Sequence, residues 1–384
     1  MADRIGVGIV GAGGISREHL RAYQAWPDAC RVVAVADVVE ERARDLASRA
    51  GCDAWYTDYR ALLARQDVQL ISICTPPHLH ASLTVTALEA GKHVLVEKPM
   101  AASLEECDAM IAAAERHGRL LSVVFQNRFH PDYWRMKALV DSGELGPLLF
   151  GKCETVWYRG RNYYDVPWRG TWETECGGAV INHAIHAIDA LLWMMGDVAS
   201  VAAEIGTLAH DIEVEDIGMA VLRFRSGALG QITGTVDGHR DYVTLEVNGE
   251  HGAVALPWQV AAKVPDAHGF PVPDPVRVER LERYARSVPV PEGSGHAAQV
   301  GDVLRALRDG GRPVVDGREG RRSIELVTAL YESAVSGRRV LLPLTPADPF
   351  YTTYGLHTAM RQAGPHPPAE PPSALVEGRE PPMT

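Results

Sequence analysis

The sequence predicts an α/β protein: an N-terminal Rossmann domain with a doubly wound parallel sheet, then a second α/β domain on an open, mostly antiparallel sheet. Three observations predict it. Residues 5–125 alternate short apolar runs with segments of helical period, as repeated βα units do. A glycine-rich turn joins the first apolar run to the first helix. After about Gln126 the apolar period shortens to two, the mark of half-buried antiparallel strands. The 384 residues exceed one ordinary core, since domains run to roughly 100–200 residues. We divide the chain into 1–125, 126–345 and a Pro-rich tail, 346–384.

The elements follow in order. IGVGIV (5–10) is a strand and Ile15 to Ala25 a helix. RVVAVAD (31–37) is the second strand, and 38–50 the second helix. VQLISICT (68–75) and HVLVEKP (93–99) are strands around a helix from Leu79 to Ala90, which Gly91 can end. Ser103-Leu-Glu-Glu106 is a capping box, so a helix runs to His117 and stops at Gly118. RLLSVVF (119–125) closes the first domain. Beyond it, Pro131 to Ser142 is a helix, and 148–256 is mostly strands, with a hairpin at NGEHG (248–252). One strong helix, Gly178 to Met195, interrupts these strands. Residues 264–291 are Pro-rich and read as loop; helices follow near 295–308 and 320–336. The last part of the tail lacks apolar periodicity and reads as poorly ordered. DPFYTTYG (348–355) carries enough aromatics to dock, with a neighbouring subunit as one possible surface.

Composition narrows the function. Apolar residues make up 46% and charged residues 23%, as in globular proteins. The formal net charge of −11, without any dense basic block, gives no electrostatic attraction to nucleic acid or an anionic membrane. The six cysteines form no C-x-x-C pair, which suggests neither a disulfide framework nor a zinc ribbon and fits a reducing cytoplasm. The first apolar run reads as a strand, so no signal peptide is expected. The longest apolar stretch, near 184–195, is too short to span a bilayer.

Gly11-Ala-Gly13-Gly14-Ile15-Ser16 follows a strand and opens a helix. The first glycine permits the tight turn, and the second lets the backbone approach a pyrophosphate at the helix N-terminus. Ser16 takes the third fingerprint position and loosens the helix–strand packing slightly. Asp37 ends the second strand, near the expected distance of about 20 residues from the glycines. Its carboxylate would accept from a ribose 2′-hydroxyl and repel a 2′-phosphate, which favours NAD. Arg42 and Arg44 keep NADP open.

Thr75-Pro76-Pro77-His78-Leu79-His80 and Glu97-Lys98-Pro99 follow the third and fourth predicted strands. Both face the crevice at the carboxyl ends of a doubly wound sheet. A lysine there can polarise a hydroxyl or neutralise a developing alkoxide. Alone, Lys98 would read as a solvated strand-end lysine. Gly177-Gly178…Asn182-His183…His186…Asp189 forms the other cluster. On a helix, Asn182 and His186 share a face. Asp189 lies three residues past His186 and could orient its ring. His183 and His186 lack an obvious third ligand, so no metal site is assigned. Trp168-Arg169-Gly-Thr-Trp172 reads as substrate wall or packed loop.

Together these strings resemble the glucose–fructose oxidoreductase/inositol dehydrogenase (Gfo/Idh/MocA) family from Gly8 to about Pro343. The specific part is the combination of Thr75-Pro76 with His80, Glu97-Lys98-Pro99, and Gly177-Gly178…Asn182…His186…Asp189. The resemblance implies hydride transfer to or from a secondary hydroxyl of a sugar, cyclitol or sugar derivative, and pairing through the second sheet into homodimers or homotetramers. It implies that Lys98 and His186 flank the reacting carbon, with Asn182 beside them and Glu97 positioning Lys98 and the cofactor. Thr75, Pro76, His80, Glu97, Lys98, Gln126 and Trp168 would line the cofactor, and Arg128, Tyr163, Arg169, Asn182 and His183 would form a polar substrate pocket. Many members carry aspartate where this sequence has Asn182, which cannot carry a proton. Cys176 stands where the family has the first glycine of a triplet, which could reshape the crevice entrance. Two other readings stand beside the dehydrogenase. One is an NAD-dependent glycoside hydrolase or lyase that oxidises the sugar transiently. The other is a dinucleotide-binding sensor, which would need neither Lys98 nor His186.

Overall fold

The computed structural model describes residues 4–364. The first sheet and its helices are β1 (Ile5–Val10), α1 (Ser16–Gln24), β2 (Cys30–Ala36), α2 (Glu40–Ala50), β3 (Trp55–Tyr56), α3 (Tyr59–Leu63), β4 (Leu70–Ile73), α4 (His80–Glu89), β5 (His93–Val96), α5 (Leu104–His117) and β6 (Leu121–Val123). The strand order is β3-β2-β1-β4-β5-β6, and every pairing is parallel. Helices cover both faces, so β4 is buried at every position, as its unbroken apolar run requires. The order reverses between β1 and β4, and the crevice there is where a doubly wound sheet binds its ligand. Ser103 caps α5, its Oγ accepting from the Glu106 N–H, while the Glu106 carboxylate accepts from the Ala102 N–H, one residue before the cap. β3 and α3 were not anticipated; two and five residues are too few to show a period.

The second unit contains α6 (Pro131–Asp141), β7 (Leu148–Tyr158), α7 (Ile185–Met195), β8 (Val198–Gly206), β9 (Ile217–Phe224), β10 (Leu229–Thr235), β11 (Asp237–Gly249), β12 (Ala253–Leu256) and β13 (Gln259–Ala261). Next come a two-stranded ribbon, β14 (Lys263–Pro265) and β15 (Pro271–Pro273), and then α8 (Pro275–Ser287), α9 (Gly295–Asp309), α10 (Gly317–Ser336), β16 (Val340–Leu341) and α11 (Thr353–Ala363). The sheet order is β13-β12-β11-β7-β10-β9-β8-β16. Only β7 and β10 pair in parallel; the other pairs are antiparallel. One face packs on α7, where a Cβ at Gly151 would lie 2.8 Å from the Met195 side chain. The other face leaves Met219, Val221 and Leu229 about half exposed.

Several expectations are corrected. Residues 264–291 are not simply loop. Asp274 caps α8 by accepting from the Arg277 N–H, Pro275 starts the helix, and Leu281 and Ala285 bury one stripe of it. The long helix predicted from Gly178 begins with a π-helical turn, Ala179–Ala184. Part of the aromatic segment near 350 docks on its own chain, where Phe350 and Tyr351 are buried. Tyr351 donates to Asp108, its carbonyl accepts from the Glu105 N–H at 3.1 Å, and α11 follows. The part expected to be poorly ordered falls mainly on 365–384, outside the described residues. α9 and α10 return to the first sheet: the Gln299 amide donates to Val123 O, and Ser122 Oγ donates to Val315 O, both at 2.7 Å.

Candidate active site

The dinucleotide groove starts where β1 turns. Gly11 has φ +91°, and a Cβ there would lie 2.7 Å from the Cys74 backbone. At Gly13 and Gly14 a Cβ would meet nothing within 4 Å, so open space faces this backbone at the start of α1. Ser16 closes the turn by donating from Oγ to Gly13 O at 2.6 Å. Asp37 stands across from it; its carboxylate accepts from Ala12 N–H at 2.7 Å and Val39 N–H at 2.8 Å. From here a cleft of about 700 Å³ runs past Ile15, Thr75, Pro76 and Glu97 to Lys98, Trp168, Arg169 and Asn182. Thr75 Oγ1 and Gln126 Oε1 are buried without a partner. A long cleft with bare glycine backbone at the middle, a ribose-ready carboxylate at one end and unspent polar atoms at the other fits a dinucleotide. Tyr59 and Leu79 also line it; Tyr59 was missed because α3 was missed, and Leu79 belongs to the loop expected to face the crevice.

Lys98 follows β5 and is half-buried where it lines the cleft. Its Nζ donates to Asn182 O at 2.9 Å. Burial lowers its pKa from the usual lysine range; Glu97 opposes this and Arg169 adds to it. Glu97 is 5% exposed. One carboxylate oxygen lies 2.8 Å from His19 Nε2, and the other accepts from the Lys98 N–H at 3.2 Å. Burial would raise the Glu97 pKa, but His19 and Lys98 hold it down to about 2. Burial works against a charged His19, yet Cys74 and Glu97 raise it to about 10. Behind His19 stand Ser72, at 2.6 Å from Nδ1, and Tyr23, whose hydroxyl donates to Ser72. Sequence reasoning missed His19 because it is a single helix residue 78 positions from Glu97.

The π-helical turn supplies the opposite wall. It can start only at a glycine: a Cβ on Gly178 would sit 1.8 Å from Glu215 O. The Glu215 carboxylate accepts from the N–H groups of Gly178 and Val180 and from the Tyr331 hydroxyl. Asn182 faces Lys98 with its main-chain carbonyl. Its side-chain amide donates to Glu175 O and Gly177 O, tying down the glycine turn. His186 is half-buried, its Nδ1 is enclosed without a partner, and Phe125 meets its ring edge-on at 5.9 Å. Burial and Lys98 lower its pKa to about 3, so the ring is neutral at ordinary pH. His183 lies 3.2 Å from the Tyr163 hydroxyl. Cys176 takes a left-handed conformation, φ +68°, and is buried under the turn.

Two expected site residues and one expected partner serve elsewhere. Arg128 is 1% exposed and cannot meet substrate. Its guanidinium makes two 2.7 Å bonds to Asp189 and one of 2.8 Å to Glu319. Asp189 is therefore spent on Arg128 and does not orient His186. His80 is also 1% exposed, and its ring nitrogens meet Pro99 O at 2.7 Å and Thr75 O at 2.9 Å. It braces the loops that line the groove and does not reach into it.

A doubly wound sheet with this groove, opening onto a half-buried lysine, fits an NAD-dependent oxidoreductase. The chain belongs to the GFO/IDH/MocA oxidoreductase family: residues 5–125 match its NAD-binding Rossmann domain, and 133–255 match its C-terminal domain. It is 30% identical to inositol 2-dehydrogenase of Salmonella typhimurium over 262 residues, covering 67% of this chain and 75% of that one. It is 26% identical to levoglucosan dehydrogenase of Pseudarthrobacter phenanthrenivorans over 389 residues, covering 89% and 99%. Its fold matches the WlbA dehydrogenase of Bordetella pertussis, solved with NADH and UDP-GlcNAcA, with TM-score 0.78, 33% identity and coverage of 90% and 99%. No described helix is long and apolar enough to cross a membrane.

Proposed function

We propose that the protein oxidises a secondary hydroxyl of a sugar, cyclitol or sugar derivative, or reduces the matching ketone, with Lys98 and His186 as its proton-handling pair. The observation that carries this reading is Lys98, which lines the cleft and is held by Asn182 of the turn that leads into the helix of His186. Relatives named for inositol and levoglucosan support a polyhydroxylated substrate.

The chain's own groups divide the work. Gly11, Gly13, Gly14, Ile15, Asp37, Thr75, Pro76 and Trp168 would hold NAD, with Gln126 nearby. Bound NAD supplies the acceptor for the hydride that leaves the carbinol carbon. Lys98, kept short of full basicity by burial, donates a hydrogen bond to the substrate hydroxyl and favours its ionised form. Neutral His186 takes the hydroxyl proton through a ring nitrogen. Loss of that proton and of the carbon-bound hydride leaves a ketone, and reduction runs the same steps backwards. Tyr163, His183 and Arg169 orient the ring of the substrate, and Asn182 fixes Lys98 through its carbonyl. The six cysteines are free thiols, which suits a cytoplasmic setting. The apolar open face at Met219, Val221 and Leu229 would pair with a second copy. Val221→Glu would then reduce the mass seen by light scattering to that of one chain.

The test is NADH and NADPH formation by the purified protein across free sugars, inositols, glycosides and nucleotide-sugars. We expect one class to reduce NAD and Lys98→Ala to lose that activity. Near-normal turnover by Lys98→Ala overturns the mechanism; glycoside cleavage that needs NAD but yields no NADH replaces it with transient oxidation.

A further inference from the structure

The chain carries a formal charge of −11, yet the inner end of the cleft collects cations. Arg169 lines the cleft with Lys98. Its Nε and Nη1 are shut away from solvent without a partner. Its guanidinium carbon lies 3.5 Å from the ring centre of Tyr163 and 4.7 Å from that of Trp168. Arg159 approaches the same Tyr163 at 5.4 Å and Trp157 at 5.0 Å, and it donates only to the neighbouring Tyr158 carbonyl. Among the described residues, neither arginine is bonded to a carboxylate. The acid beside Arg169, Glu175, already accepts the Gly170 N–H at 2.5 Å. Burial raises the Glu175 pKa to about 7, so near neutral pH much of it carries no charge.

A guanidinium withdrawn from water needs an anion or a full set of acceptors. Stacking on aromatic faces stabilises the cation in part and fixes its plane, but it leaves the in-plane N–H groups unspent. A planar carboxylate fits such a fork with two parallel hydrogen bonds. A dinucleotide's pyrophosphate would be held at the glycine turn, where Gly13 and Gly14 face open space, and would not need Arg169. A substrate bearing only hydroxyls would leave Arg169 with no carboxylate bonded to its guanidinium.

We propose that Arg169, supported by Arg159, forms an anion subsite for a carboxylate on the substrate, so that the enzyme prefers sugar acids to neutral sugars. This deepens the reading of the site as a sugar dehydrogenase and rests on it.

The test measures binding to the NADH-saturated protein by calorimetry for matched pairs: D-glucuronate with D-glucose, D-galacturonate with D-galactose, and UDP-glucuronate with UDP-glucose. D-glucose 6-phosphate supplies the phosphate arm. At least one acid should bind about 10- to 100-fold more tightly than its neutral partner. Arg169→Met should erase that difference while NADH affinity stays the same. Arg159→Met, which keeps the Arg169 fork, should reduce it by less and covers the case in which Arg169→Met fails to fold. Equal binding of acids and neutral sugars overturns the proposal, as does an Arg169→Met defect in NADH binding. Glucose 6-phosphate binding more tightly than every acid overturns the carboxylate. NAD reduction by a neutral sugar that depends on Lys98, without preference for acids, rejects the subsite and leaves the dehydrogenase. Tight acid binding without any NAD reduction does the reverse.

Discussion

Lys98 Nζ donates to the carbonyl oxygen of Asn182 at 2.9 Å, a bond between residues 84 positions apart. It joins the end of β5 in the first sheet to the π-helical turn of the second unit, so two walls of the cleft are set against each other by the residue proposed to handle the proton.

Replacing Lys98 should therefore damage turnover more than cofactor binding. Lys98→Met is expected to lower kcat by about 10²- to 10⁴-fold, the usual worth of a positioned proton donor. Titration of NADH fluorescence should find nearly the wild-type Kd, because the glycine turn and Asp37 are untouched.

His19 and Glu97 form a buried pair, 2.8 Å apart. The His19 pKa is raised from 6.5 to about 10 in the fold, so its contribution to stability is complete below 6.5 and is lost as pH rises through about 10. The Glu97 pKa is lowered from 4.5 to about 2, so its share is complete above 4.5 and is lost as pH falls through about 2. Urea unfolding midpoints should fall between about pH 6.5 and 10, and His19→Asn should flatten that slope. An identical slope in the variant would mean that His19 does not hold this proton.

Arg128→Met tests the correction made at the substrate pocket. It strands Asp189, which is 1% exposed, without its partner. The expected loss is about 3–5 kcal/mol of unfolding free energy by denaturant titration. The Michaelis constant for substrate should change little in whatever fraction stays folded; a selective rise in that constant with normal stability would return Arg128 to the pocket.

Asp37 borders the groove together with Arg42. Removing its charge in Asp37→Ser relieves repulsion of a 2′-phosphate and leaves Arg42 to attract it. The ratio of NADPH to NADH affinity, measured by fluorescence titration, should rise about 10-fold or more. No change in the ratio would place the 2′ position elsewhere.

Much of the first sheet was legible because its βα units are long enough to show a period and are punctuated by caps. Ser103, Glu106 and Gly118 mark the ends of α5 as the sequence suggested. Elements that lack those signals were lost. β3 spans two residues, and α8 was hidden by the prolines around it although Asp274 and Pro275 form a sound helix start. The π-helical turn had no sequence signal beyond Gly177-Gly178, since its wider winding is set by Glu215 from a distant segment.

By itself the sequence determined the glycine turn, Asp37, the lysine after β5 and the histidine of the second unit, because these lie in local motifs whose neighbours dictate their conformation. Only the tertiary structure decided which charges are spent and which are free. Arg128 and Arg169 look alike along the chain, but one is neutralised by Asp189 and the other is stacked on Tyr163 with no carboxylate bonded to it. Partners for a long side chain come from segments tens to hundreds of residues away, and ion pairing depends on distance and burial rather than on spacing in sequence.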